Sequence, residues 1–189
     1  MPGQIVCGDM ALVKAFPGGV LLAVVDGLGH GEDAGAAAQA ALDVLESHAE
    51  EPLPHLVELC HKALAHTRGA VMTLASLQLA PGLLTWVGVG NVEAVLWRDS
   101  GGIGTPPARL VQRNGLVGYQ LPPLRPQTVP IALGDWLIFA TDGISADFLQ
   151  SLVRRQKPQE LAERILARHF KGTDDALVLV ARFPGSSSD

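Results

Sequence analysis

Acidic residues recur beside glycine or at the ends of apolar runs along this 189-residue chain. The acids are Asp9, Asp26, Asp142, Asp174 and Asp175. If the apolar runs are neighbouring strands of two packed sheets, the acids lie together, and their charges repel unless a cation neutralises them. Asp26 followed by Gly27 offers a carboxylate and an accessible backbone carbonyl, both oxygen ligands for hard divalent ions. The pattern predicts a site for Mg2+ or Mn2+ rather than for zinc.

Each acid also has an ordinary structural explanation when it is considered alone. Asp-Gly is a frequent turn dipeptide, and Asp before a helix is a frequent N-cap. Because the acids recur at the ends of several strands, we favour a shared metal site over a set of unrelated turns.

The glycine-rich stretch 27–31 lies between a predicted strand and a predicted helix, where a dinucleotide could bind. The fingerprint GxGxxG requires a third glycine where this chain has Glu32, and the spacing GxxxxGK[ST] of a phosphate-binding loop is also missing. The stretch therefore does not indicate nucleotide binding.

The apolar periodicity predicts an α+β domain. Strands are predicted at 4–16, 18–27, 70–80, 83–91, 92–100, 134–143 and 175–183, and helices at 32–51, 54–68 and 158–170. The three consecutive strands between 70 and 100 resemble an antiparallel meander, and Asp9 is expected at the end of the first strand. Strands followed by a helix pair and more strands favour antiparallel sheets with helices on their outer faces.

The composition limits the classes of function. A net charge of −5 argues against a nucleic-acid-binding protein. Cys7 and Cys60 form no CxxC motif, and we expect neither a disulfide framework nor a zinc site. No apolar run is long enough to span a membrane, and the N-terminus lacks the features of a signal peptide. We expect one cytoplasmic domain over residues 1–189, with a frayed tail at 184–189.

Four motifs in order resemble the metal-dependent serine/threonine protein phosphatases, specifically the bacterial SpoIIE-type branch. They are Gly8-Asp9, "DGLGHG", "ATDG" and "DDALVLVAR". Within that branch, "TRGAVMTLA" and "WVGVGNVEAVLWR" resemble the small stand-alone phosphatases of stressosome signalling. The resemblance covers nearly the whole chain and implies a four-layer αββα sandwich, with two mostly antiparallel β-sheets flanked by helices.

The resemblance also implies a set of metal ligands. By matching motif, Asp26 bridges two divalent ions, Mn2+ or Mg2+, and the Gly27 carbonyl binds one of them. Asp9, Asp142 and Asp174 complete the set, with Asp175 as the alternative to Asp174. A hydroxide held between two such ions hydrolyses phosphoserine or phosphothreonine without a covalent enzyme intermediate.

Three further residues are candidates for substrate chemistry. His30 could protonate the leaving oxygen, although in eukaryotic relatives the histidine directly follows Asp-Gly. Arg68 could bind phosphate or simply end a helix, and Asn91 could contact substrate or make a turn. The other histidines are expected on helix surfaces; they are His48, His55, His61, His66 and His169.

The resemblance implies phosphorylated STAS-domain proteins of a stressosome as substrates of a monomeric enzyme that resets the complex. The loop region from Ser100 to Pro130 is expected to select this partner, because loops vary most readily around a fixed site. Two other functions stay open: a catalytically weak phosphoprotein-binding module of the same fold, and a small-molecule phosphatase.

Overall fold

The computed structural model describes residues 6–99, 107–152 and 156–183. The predicted tail at 184–189, the first residues of the predicted strand at 4–16 and part of the loop from Ser100 lie outside the described residues. Within the described parts, no helix is long and apolar enough to cross a membrane.

The described residues form nine strands, three α-helices and a short 3-10 helix. In chain order the elements are β1 (Asp9–Phe16), β2 (Gly19–Gly27), α1 (Glu32–Ser47), α2 (Leu53–Ala63), β3 (Ala70–Gln78), β4 (Leu83–Val89), β5 (Glu93–Trp97), β6 (Ala108–Arg109), β7 (Gln127–Pro130), β8 (Trp136–Ala140), a short 3-10 helix (Phe148–Ser151), α3 (Pro158–His169) and β9 (Val178–Arg182).

The strands form two sheets, of five and four strands. The first sheet has the order β1-β2-β3-β4-β7, and the second has the order β6-β5-β8-β9. Every pairing between these strands is antiparallel. The predicted α+β class with two antiparallel sheets is confirmed.

Alternate residues of β2 pack into different layers. Leu22 and Val24 lie in the core between the two sheets, whereas Leu21 and Val25 lie in the core beneath α1 and α2. Because both faces of the strand are buried, its sequence is a continuous apolar run rather than an alternating one. A third core packs α3 against the second sheet around Ile138, which completes the αββα sandwich.

The predicted meander over 70–100 is wrong at its third strand. β3 pairs with β4, but β5 pairs with β6 and β8 in the other sheet. The chain crosses between sheets at Gly90, whose φ is 97°, and the Thr73 hydroxyl donates to the carbonyl oxygen of Val92 at 2.7 Å. Apolar alternation predicts the strands but does not tell whether the next strand pairs beside its neighbour or stacks above it.

Both helices of the first pair end earlier than predicted. α1 ends at Ser47 rather than at residue 51, and α2 ends at Ala63 rather than at Arg68. The residues after α2 form turns, in which the Thr67 hydroxyl donates to the Leu64 carbonyl at 2.9 Å. Local side-chain bonds of this kind compete with helix continuation.

Two of the histidines predicted at the surface are partly buried instead. The N–H of Gly118 donates to Nδ1 of His61 at 2.9 Å, which ties a loop to α2. The His169 side chain is only 10% exposed, and its Nδ1 lies 3.0 Å from the Asp147 carboxylate. His48, His55 and His66 are exposed as expected, although His48 caps α1 and His66 lies in the turns after α2.

Asp135 is fully buried just before β8, and its replacement tests the packing of this edge. Its carboxylate accepts the Asp99 N–H at 2.9 Å, the Ala132 N–H at 3.0 Å and Nη1 of Arg98 at 2.9 Å. Asp135→Ala is expected to lower the free energy of unfolding by about 3–5 kcal/mol, because it leaves two N–H groups without their acceptor and takes the carboxylate from the Arg98 guanidinium, which keeps its bond to the Pro130 carbonyl. Urea unfolding measures the change.

Glu46→Ala is the control for Asp135→Ala, because Glu46 forms an exposed ion pair with Lys14 at 3.0 Å. Its loss is expected to cost about 1 kcal/mol or less. Equal effects of the two replacements would contradict the role given to Asp135.

Candidate active site

Asp9 and Asp26 lie opposite each other at one end of the first sheet. They are register partners in the antiparallel pair β1–β2, and the Gly27 N–H donates to the Gly8 carbonyl at 3.0 Å. The sequence had indicated that Asp9 ends the first strand. In the structure Asp9 instead begins β1. The antiparallel pairing still brings it to Asp26, because the start of β1 lies beside the end of β2.

The second sheet brings its own acids to the same end. Asp142 follows β8, and Asp174 and Asp175 precede β9, which is paired antiparallel to β8. The sheets are joined here by Thr141, whose hydroxyl donates to Oδ2 of Asp9 at 2.7 Å and accepts the Leu177 N–H at 2.9 Å. All five predicted acids therefore lie at one edge of the sandwich.

A cleft of about 130 Å³ opens at this edge. It is lined by Asp26, Leu28, Gly29, Val71, Asn91, Asp142 and Asp174. Its carboxylates come from both sheets. The exposed His30 belongs to the same loop as Leu28 and Gly29 but is not among the lining residues.

The adjacent acids Asp174 and Asp175 have different surroundings. Asp174 lines the cleft, whereas the Asp175 carboxylate accepts the Gly8 N–H at 2.7 Å. Asp175 thus holds the backbone immediately before Asp9. The resemblance placed Asp174 first with Asp175 as the alternative, and the contacts of the two side chains differ.

The cluster makes ionisation of its most enclosed acids unfavourable. Burial raises the pKa of Asp26, and the neighbouring charges of Asp9, Asp142 and Asp174 raise it further. Burial also raises the pKa of Asp9, although the bond from Thr141 opposes the shift. A cation in the cleft would reverse this cost, because it favours the ionised carboxylates.

The donors fit a hard divalent ion in their chemistry, since the cleft offers carboxylate oxygens without thiolate or imidazole. Position 27, beside the cleft, requires a glycine, because a Cβ there would lie 2.0 Å from the carbonyl oxygen of Ala34. In the part of the chain that the structure describes, no three acidic, histidine or cysteine side chains are already close enough to hold an ion.

The two candidate substrate residues differ in position. Nδ2 of Asn91 donates to Oδ2 of Asp142 at 2.8 Å inside the cleft. Arg68 lies beside it: Nη1 is 2.9 Å from the point where a Cβ on Gly29 would be, and Nη2 pairs with the Asp33 carboxylate at 2.9 Å. Arg68 and Asp33 line a second cavity of about 350 Å³.

Sequence reasoning missed two residues that contact the site. Thr141 could have been found, because it is a polar residue directly before Asp142 at the end of an apolar strand. Lys171, whose Nζ donates to the Asp142 carbonyl at 2.6 Å, gives no local signal, because its contact depends on how the chain returns from α3.

The chain is similar to known proteins over most of its length. Residues 17–184 match the family described as "Stage II sporulation protein E (SpoIIE)". The chain is 26% identical to the phosphoserine phosphatase RsbX of Bacillus subtilis (strain 168) over 178 residues. The aligned region covers 94% of this chain and 87% of RsbX. The family match begins after Asp9, so the place of Asp9 in the cluster rests on its contacts.

Solved structures share the fold. A chain described under "The bacterial stressosome: a modular system that has been adapted to control secondary messenger signaling" matches with a TM-score of 0.87 and 32% identity, over 96% of this chain and 94% of that one. RsbX in complex with magnesium matches with a TM-score of 0.82 and 26% identity, over 95% and 88%. The Mycobacterium tuberculosis phosphatase PstP/Ppp, at 19% identity and a TM-score of 0.73 over 96% and 94%, shares the fold alone.

The family match over residues 17–184 covers far more than half of this chain. The chain therefore belongs to the SpoIIE family, the branch of metal-dependent protein phosphatases that its motifs resemble.

Proposed function

We propose that the protein hydrolyses phosphoserine or phosphothreonine on a protein substrate with the help of divalent metal ions. The observation that carries the proposal is the cleft in which Asp26, Asp142 and Asp174 converge from both sheets, in a chain of the SpoIIE family. The similarity to RsbX, a phosphoserine phosphatase, supports the substrate class.

The cleft residues and Gly27 supply the oxygen ligands in this proposal. Asp26, which interacts with the charges of Asp9, Asp142 and Asp174, would contact both of two ions, and Asp142, Asp174 and the Gly27 carbonyl would supply further ligands. Asp9 completes the set and is oriented by Thr141, while Asp175 holds the backbone before Asp9 and is not itself a ligand. Bound divalent ions polarise a phosphoryl oxygen and lower the pKa of water. The relative solved with magnesium supports Mg2+, and the donor set accepts Mn2+ equally.

The cysteines support a route without a covalent intermediate. Burial raises the pKa of the Cys60 thiol to about 12, which keeps it protonated and poorly nucleophilic at neutral pH. Burial also raises the pKa of Cys7, and neither cysteine begins the CxxxxxR pattern of a cysteine phosphatase. Attack on phosphorus is therefore assigned to water rather than to a cysteine thiolate.

The partner that we propose is a phosphorylated STAS-domain protein of a stressosome, so that dephosphorylation resets the complex. The 32% identity to a chain from a stressosome study supports this choice, as does the similarity to RsbX. We assign partner selection to residues 113–120 of the loop region. Arg113 and Val117 bond to the ends of β4 and β3 near the cleft, and Tyr119 is 81% exposed. By contrast, β7 pairs with the opposite end of β4.

Arg68 is assigned to the phosphate of the substrate. Its guanidinium lies over Gly29 at the cleft, and its ion pair with Asp33 is exposed and therefore easily exchanged for a phosphate. Arg68→Ala is expected to raise KM for the phosphoprotein about tenfold, because a charge-assisted hydrogen bond contributes about 1.5 kcal/mol or more. Steady-state phosphate release at saturating Mn2+ measures it.

Asp33→Ala is the companion variant, because it breaks the same ion pair but keeps the guanidinium. Its KM is expected to stay unchanged or to fall. A rise in KM of similar size in both variants would mean that the ion pair shapes the loop and that Arg68 does not contact phosphate.

The activity itself is tested by Mn2+-dependent release of phosphate from a phosphoserine protein, a phosphotyrosine peptide and a small phosphomonoester. Fast release from the phosphoserine protein alone is expected. Tight binding of the phosphoprotein without release would favour the binding module, and a preference for the small ester would favour a small-molecule phosphatase. Release that does not depend on metal would contradict the proposal.

A further inference from the structure

Asn91 lies where the chain passes from the first sheet to the second, between β4 and β5, and it lines the acidic cleft. Its side-chain amide donates from Nδ2 to Oδ2 of Asp142 at 2.8 Å. The two residues are 51 positions apart, so the bond ties the crossing between the sheets to the turn after β8.

Asp142 needs such a partner, because it is exposed on a turn. Its main chain is fixed by Lys171: Nζ donates to the Asp142 carbonyl at 2.6 Å, and the Lys171 N–H donates to the Gly143 carbonyl at 2.9 Å. Neither contact restrains the carboxylate. The bond from Asn91 does, and it engages one oxygen while the other keeps its lone pairs for a ligand.

The chemistry of an amide suits this position. An amide donates a hydrogen bond without carrying charge, so it orients an ionised carboxylate and does not repel a cation. A lysine or arginine in the same place would add a positive charge beside the ion. Partners that orient metal ligands in this way contribute tenfold to hundredfold in metal affinity or activity.

We infer that Asn91 is a positioning residue that orients Asp142 towards a divalent ion, and not a contact for the substrate. The inference rests on the proposed function, since it concerns the same cleft. It replaces the substrate-binding role that the sequence suggested for Asn91, because the amide donor is directed at Asp142.

The test compares Asn91→Ala and Asn91→Leu with the wild type. Leucine keeps nearly the same size but cannot donate a hydrogen bond. Isothermal titration of the metal-free protein with Mn2+ gives the metal affinity without requiring activity, and steady-state kinetics at saturating Mn2+ give KM for the phosphoprotein. Both variants are expected to bind Mn2+ tenfold to hundredfold more weakly. Their KM is expected to change less than about twofold, because the substrate contacts are kept.

Gln39→Ala is the matched control, because the Gln39 amide donates to the Asp43 carboxylate at 2.8 Å on the exposed face of α1. It is expected to leave Mn2+ affinity unchanged. Variants at Asn91 with wild-type Mn2+ affinity would overturn the inference. If their KM were raised while their Mn2+ affinity stayed that of the wild type, Asn91 would be assigned to substrate binding instead. A wild-type protein that binds no Mn2+ would overturn the proposed function as well, so the two failures are distinguishable.

Discussion

Asp26→Asn is expected to lower phosphoserine release at saturating Mn2+ by three orders of magnitude or more, which corresponds to about 4 kcal/mol at about 1.4 kcal/mol per tenfold. Asp26 lies opposite Asp9 in the sheet and faces the charges of Asp142 and Asp174. A neutral amide there could not balance the charge of the two divalent ions that we propose for the cleft. Steady-state assays of phosphate release by the purified variant measure the loss.

The same replacement is expected to preserve the fold and to stabilise the metal-free protein. Burial and neighbouring acids raise the pKa of Asp26, so the native state of the metal-free chain bears a cost for its ionised form at neutral pH. Asparagine has nearly the same shape and removes that cost. Circular dichroism and thermal unfolding in a chelator test this, and a variant that fails to fold would contradict it.

His30→Ala is the comparison variant from the same loop. Because His30 is exposed and does not line the cleft, its loss is expected to cost about tenfold to a hundredfold if it assists proton transfer, at or below the lower end of what general acid catalysis contributes, and almost nothing if it only shapes the loop. A folded Asp26→Asn protein with near-normal turnover would contradict the two-ion proposal. A loss at His30 as deep as that at Asp26 would show that His30 contributes as much to the rate as Asp26 and that the two residues are ranked wrongly.

The convergence of the acids could be predicted from the sequence because it depends on local signals. One apolar run stops at Asp26 and another begins after Asp175, so these acids mark the end of one strand and the approach to another, and antiparallel pairing brings such strand ends together. The predicted strand at 18–27 and the start of the helix at Glu32 were also right, because the strand is a continuous apolar run bounded by glycines and the helix has an uninterrupted helical period. Helix ends were less predictable, since turns after α2 depend on single side-chain bonds.

The contacts that orient the acids could not be predicted, because they join distant parts of the chain. Thr141 and Asp9 are 132 residues apart, and Asn91 and Asp142 are 51 apart. Asp174 and Asp175 are chemically identical neighbours, and although the resemblance ranked Asp174 first, the contact between Gly8 and Asp175 depends on the three-dimensional fold. The path from β4 into the second sheet likewise depends on tertiary packing, because β5 is apolar enough to pair in either sheet.

Millimolar Mn2+ is expected to stabilise the native protein strongly, because an ion that binds only the folded state shifts the unfolding equilibrium by mass action. At a hundredfold excess over Kd the gain is about 2.7 kcal/mol, which raises the melting temperature by roughly 5–11 °C for a domain of this size. The physical source is the relief of repulsion around Asp26 and Asp9. Differential scanning calorimetry with and without a chelator measures the rise.

Asp142→Asn is expected to remove most of this rise, because it takes away one of the carboxylates that line the cleft while an amide oxygen can still accept the bond from Asn91. Asp43→Asn is the matched control, since Asp43 is an exposed acid on α1 outside the cleft, and it should keep the full rise. A wild-type protein whose melting temperature does not respond to Mn2+ would contradict the metal site. A full response in Asp142→Asn would instead remove Asp142 from the ligands and leave Asp26 and Asp174 to hold the ion, because these two also line the cleft.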